Sequence, residues 1–161
     1  MTKSDLSYTR LLLASSIHRW NDVRIYHKEA KSLALRYDVT VMGVKSSVDT
    51  NRNNISVIEL PLPRSIWQRG MNASRILLEG VSGGAHVIHF HDPELIWVGL
   101  LLKLFRKKVI YDIHEDIQAA IQVREWIPRR IKGIVGYITH LFELLGECVF
   151  NGLIVAESSY I

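Results

Sequence analysis

Cysteine is nearly absent from this chain. Cys148 stands alone among 161 residues, which excludes a disulfide framework and any zinc site built on several thiolates. A reducing compartment, the cytoplasm, fits that usage. Long uninterrupted apolar runs are missing as well. Residues 95–105 are too few to cross a bilayer. The longer stretch 131–150 is broken by Lys132, His140, Glu143 and Glu147, so a packed helix is the better reading than a membrane span. Residues 1–9 form a polar tail containing Asp5, without the basic-then-apolar pattern of a secretory leader. No internal repeat or low-complexity tract is present. The dinucleotide fingerprint G-x-G-x-x-G is also missing, which disfavours a nicotinamide enzyme.

What is there belongs to a globular protein. The chain is 48% hydrophobic and 22% charged, ordinary values that argue against disorder. Its length predicts one domain, residues 10–161 behind the tail. Lys plus Arg number 20 and Asp plus Glu 16, a formal charge of +4, too weak to name a partner. Two basic segments, 106–108 and 129–132, suit acidic lipid or a phosphorylated ligand. Neither alternates basic residues with aromatics, so nucleic acid is not the expected partner.

Hydrophobic spacing predicts an alternation of strands and helices. Residues 10–17 (RLLLASSI) read as a buried strand. Val23, Tyr26, Ala30, Leu33 and Tyr37 recur at steps of three and four, an amphipathic helix that Asn21 or Asp22 can cap. Strands are expected at 38–44, 55–60, 86–91, 107–113 and 152–156. Further helices are expected at 66–81, from Pro93 to about Phe105, and from Pro128 to about Phe150, with 115–124 helical or irregular. Such an order implies an α/β fold, a doubly wound and mostly parallel Rossmann-like sheet. Between 38–44 and 55–60 no helix is evident, which leaves a crossover or a hairpin there.

Ligands of open parallel sheets bind at the carboxyl ends of the strands, near the point where strand order reverses. Three chain segments deserve attention on that rule. The first strand is followed by His18 and Arg19, groups suited to an anionic or sugar ligand. The fourth ends His89-Phe90-His91-Asp92-Pro93. His89 and His91 share a face by strand alternation, and Asp92 before Pro93 suits a helix N-cap. The fifth ends Asp112-Ile113-His114-Glu115, placing His114 and Glu115 on the same rim as His91. An imidazole there can exchange a proton near neutral pH or hydrogen-bond a sugar hydroxyl.

Three ordered segments resemble glycosyltransferase family 4: DVRIYHKEA at 22–30 followed by Ser32-Leu33-Ala34, HFHDPEL at 89–95 leading into Gly99-Leu100-Leu101, and VIYDIHE at 109–115. The likeness runs from about Arg10 to Ser158. That resemblance implies a GT-B enzyme with two Rossmann-like domains, of which this chain would be the N-terminal, acceptor-side one. Transfer would retain anomeric configuration, without a metal ion or a cofactor. The nucleotide-sugar donor would be a co-substrate, held mainly by the C-terminal domain. His114 matches the histidine that projects towards the transferred sugar and is the expected catalytic residue. His91 and Asp92 match the loop beside it and, with Glu115, would line the acceptor site. Ile17-His18-Arg19-Trp20 stands where family members often carry a glycine-rich loop.

The donor half of such enzymes carries two glutamates separated by seven residues, and no pair here has that spacing. The resemblance therefore implies that the donor domain is missing from these residues. They would be a piece of a longer enzyme, a shortened product or one half of a split enzyme, inactive alone. The acceptor would be a glycan or lipid-linked sugar, in surface-polysaccharide or glycolipid synthesis. Arg64, Arg69 and Arg75 beside Ile66, Trp67 and Met71 suit peripheral contact with the inner face of the membrane, the alternative being an ordinary amphipathic helix against the core. Two other readings compete. One is a non-catalytic binding or partner subunit, using the apolar helix at 131–150. The other is a metal-dependent hydrolase built on His89, His91, Asp92 and His114.

Overall fold

The apolar run at the start of the chain becomes the central strand of a parallel sheet. The computed structural model describes residues 9–47, 55–113 and 129–155. Its strands are β1 (Arg10–Arg19), β2 (Asp38–Val44), β3 (Ser56–Leu60), β4 (Val87–Phe90), β5 (Lys108–Ile113) and β6 (Gly152–Val155). They lie in the order β3-β2-β1-β4-β5-β6, and every neighbouring pair is parallel. This is the doubly wound, Rossmann-like α/β arrangement, with strand order reversing between β1 and β4. Parallel pairing of β2 with β3 resolves their connection as a crossover rather than a hairpin.

The helices are α1 (Val23–Ala30 continued by Lys31–Leu33), α2 (Ile66–Ser82), α3 (Ile96–Leu104, entered through a 3₁₀ turn at Pro93–Leu95) and α4 (Arg129–Val149). Strand alternation divides the core between two faces. Leu12, Ala14, Ile88, Phe90, Val109 and Tyr111 pack with Ala73 and Ile76 of α2 and Val98 and Leu102 of α3. Leu11, Leu13, Val39 and Val41 pack on the opposite face with Ile25, Tyr26 and Ala30 of α1. His89 pairs in register with Leu13 and Ile110, so its side chain, and that of His91, belong to the α1 face.

Two elements depart from simple expectation. β1 continues to Arg19, beyond the polar break expected after residue 17, and its register with β2 slips between Ala14 and Arg19. Ser15 causes the local bend: its Oγ accepts from the backbone N–H groups of His18 at 2.8 Å and Ile17 at 3.3 Å. Helix α1 begins as expected, with Asp22 Oδ1 accepting from Arg24 N at 2.8 Å. Its first eight residues, however, wind as a π-helix. His27 N–H reaches Asp22 O and Lys31 N–H reaches Tyr26 O, both five residues back. Wider winding rotates the predicted stripe: Tyr26 and Ala30 stay buried, Ile25 joins them, and Val23 is 65% exposed.

Gly43 sets the approach of β2 to the end of β1. A Cβ there would lie 2.8 Å from Trp20 Cα and 2.9 Å from Trp20 N, both backbone atoms that cannot move aside cheaply. Gly43→Ala should therefore cost about 1–3 kcal/mol in urea unfolding. Gly70 of α2 has nothing within 4 Å of such a Cβ, and Gly70→Ala should add about 0.5–1 kcal/mol by the same measurement. A neutral Gly43→Ala would contradict the packing described.

Candidate functional site

At the reversal point the polar end of β1 meets the polar end of β4. Asp92 is 1% exposed and follows β4 directly. It occupies the N-cap position before Pro93, yet makes no side-chain cap bond. Its carboxylate turns to β1, where it accepts from Ser15 Oγ at 3.0 and 3.1 Å, from Ser16 Oγ at 2.9 Å and from Ser16 N. His18 Nε2 lies 3.7 Å away. Ser16 Oγ also contacts Glu94 Oε1, and Arg69 of α2 pairs with the other Glu94 oxygen at 3.4 Å. The buried Asn72 completes the join: its Nδ2 donates to Ser16 O and Pro61 O, both at 3.0 Å. Four elements are thus tied to one point of the rim.

Beside it, under α1, lies a charge network in which Asp112, His89 and His91 are buried and Arg24 and Glu29 are partly exposed. Asp112, at the end of β5, has no exposed surface. Arg24 Nη2 donates to both its oxygens, at 2.8 and 2.9 Å. The same guanidinium donates through Nε to Glu29 Oε1 at 3.2 Å. A helix bonded five residues back stacks residues five apart, so the π winding puts Arg24 and Glu29 on one side. His91 sits between the carboxylates, its Nε2 3.4 Å from Glu29 Oε2 and its Nδ1 3.4 Å from Asp112 Oδ2. His89 Nε2 is 4.0 Å from the same Asp112 oxygen, and the two imidazole rings lie 4.7 Å apart. Burial raises the Glu29 carboxyl above its ordinary range; His91 opposes that shift, and Asp112 adds to it.

The residues expected from sequence are distributed unevenly. His18 and Arg19 stand exposed at the tip of β1, open to a ligand. His91 and Asp92 are buried and hold protein groups instead. His114 and Glu115 lie outside the described residues. Asp92, placed with the histidines in the hydrolase reading, bonds to the β1 serines; Glu29 and Asp112 are the carboxylates that accompany His89 and His91. Sequence reasoning missed Arg24, Glu29 and Asp112. Asp112 could have been found by alternation from His114, and it follows Tyr111 just as His91 follows Phe90, the last paired residues of β5 and β4. The five-residue spacing of Arg24 and Glu29 carries no meaning on an α-helix. The basic segment 106–108 is remote from the rim: with His86 it lines an open cavity of ≈ 610 Å³ reaching Thr9 at the start of β1.

The bonds of Asp92 predict more than a helix cap. Asp92→Ala should cost about 2–3 kcal/mol in chemical denaturation, because buried serine donors lose a charged acceptor. A loss no larger than about 1 kcal/mol would fit a cap alone. No protein-family model matches the chain, and no curated protein shows significant similarity to it.

Proposed function

We propose that this chain is the acceptor-side half of a retaining glycosyltransferase. One observation supports the reading above others. The three segments that resemble family 4 converge on one rim: the first contributes Arg24 and Glu29, the second His89 and His91, the third Asp112. In this reading the buried network shapes the cleft wall, and the exposed His18 and Arg19 meet the acceptor. His114 would lie next to the transferred sugar, as the resemblance implies. An acceptor hydroxyl would bond to the anomeric carbon of the donor sugar and lose its proton, while the nucleotide leaves. A second domain, or a partner polypeptide, would hold that nucleotide. Helix α4 is consistent with a further polypeptide: Ile134, Tyr137, Leu141, Leu144 and Leu145 are exposed along it.

The same reading gives the outer face of α2 a membrane role. The helix buries Asn72, Ala73, Ile76 and Gly80, while Trp67 is 84% exposed and Ile66, Met71 and Leu78 are exposed with it. Trp67, Met71 and Leu78 fall on one helical stripe, flanked by Arg64 and Arg75. These apolar residues do not face the core, which favours an interfacial surface over the ordinary amphipathic alternative. No helix among the described residues is long and apolar enough to cross a membrane.

Transfer of label from UDP-glucose, UDP-N-acetylglucosamine and GDP-mannose to glycan and lipid-linked acceptors tests the enzymatic reading. The 161-residue chain alone should transfer nothing and should bind acceptor weakly by saturation-transfer NMR. Supplying the donor half should restore transfer, and His114→Ala should then lower it at least about tenfold. Turnover by the chain alone would contradict the assignment. For the membrane surface, co-sedimentation with anionic vesicles should fall as salt rises and drop severalfold in Trp67→Ala. Absence of sedimentation at low salt would remove that role.

A further inference from the structure

The buried network holds four groups of the kind that ligate metals. One donor atom from each of Glu29, His89, His91 and Asp112 lies within 4.8 Å of all the others. They come from three elements, α1, the β4 end and the β5 end, and His89, His91 and Asp112 are buried. Donors bound tetrahedrally at about 2.0–2.2 Å from an ion stand about 3.3–3.6 Å from one another. The His91 Nε2 to Glu29 Oε2 distance, 3.4 Å, already has that value, and His89 Nε2 to Asp112 Oδ2, 4.0 Å, is close to it. Small side-chain rotations would close the set.

Charge points the same way. Among the described residues, two carboxylates of this network share one guanidinium, Arg24. Glu29 Oε2, the carboxylate atom that faces His91, is buried without a hydrogen bond among the described residues, an acceptor that a cation would satisfy. Two imidazoles with two carboxylates suit a divalent transition ion better than the hard cations, which prefer all-oxygen sites. We propose that Glu29, His89, His91 and Asp112 form a closed site for one divalent cation of the zinc class, which staples α1 to the rim of β4 and β5. With four protein ligands the ion has no open position for water or substrate, so the site is structural rather than hydrolytic. It stands apart from sugar transfer, which draws on no group of the ion.

Arg24 gives the test its sharpest arm. Its guanidinium neutralises the same carboxylates that the ion would bind, so it competes with the ion. The full chain, purified without a histidine tag and stripped with chelator, would be titrated with zinc chloride by calorimetry. Cobalt chloride would be followed by visible absorption. One ion per chain is expected, with the strong ligand-field bands of tetrahedral cobalt. His89→Ala and His91→Ala should each weaken binding at least about tenfold, in line with the effect of disturbing even outer-shell groups. Arg24→Gln should tighten zinc binding severalfold. Circular dichroism verifies folding, and Asp112→Asn replaces any histidine variant that does not fold. Absence of stoichiometric binding by the wild-type chain and by Arg24→Gln would overturn the site, as would binding indifferent to His89 and His91. Either result would leave an ion-pair network without a bound ion and would not touch the sugar-transfer reading.

Discussion

The pair between Arg24 and Asp112 is the constraint on which the rim depends. A fully buried carboxylate is costly unless it is paired and hydrogen-bonded. Arg24 supplies two bonds to it from another element, across β4. The pair therefore fixes where the start of α1 lies relative to β5. The same guanidinium reaches Glu29, and His91 fits between the two carboxylates. Removing Arg24 would take two charge-assisted bonds from a fully buried carboxylate, the kind of loss that is costly.

This arrangement needs the unusual winding of α1. An ordinary α-helix would stack residues three and four apart, and Arg24 and Glu29 would diverge. The π turns bring them together while keeping Tyr26 and Ala30 against the sheet. On the sheet itself, alternation sends Ile88, Phe90, Val109 and Tyr111 to the apolar face covered by α2 and α3, and His89, His91 and Asp112 to the other. A second anchor lies at the reversal point, where Asp92 binds Ser15 and Ser16 of β1. The two clusters share the His91-Asp92 dipeptide, whose successive side chains turn to opposite partners.

Much of the fold was legible because its signals are local. The apolar runs of the strands, Asp22 as a cap and Pro93 as a helix start all appear where spacing places them. Period two also placed His89 and His91 on one face correctly. The site was less legible because its defining contacts are distant in sequence: Arg24 meets Asp112 across 88 positions, and Asp92 meets Ser16 across 76. Asp92 also has a sufficient local explanation as a cap, which conceals its long-range one. Helix α2 shows the limit of pattern reading in another way. Its sequence offers a helix, with an amphipathic face against the core as one alternative, but polar Asn72 is on the buried face and Trp67 on the outer one, because Asn72 answers carbonyls on β1 and after β3.

The central claim is that Arg24 and Asp112 together hold α1 to the sheet rim. A double-mutant cycle with Arg24→Gln and Asp112→Asn, read by urea unfolding in chelator, tests it most directly. The predicted result is a coupling of roughly 1–3 kcal/mol, as for residues joined in one buried network. Additivity within about 0.3–0.5 kcal/mol would mean that the two side chains contribute separately, and would contradict the account.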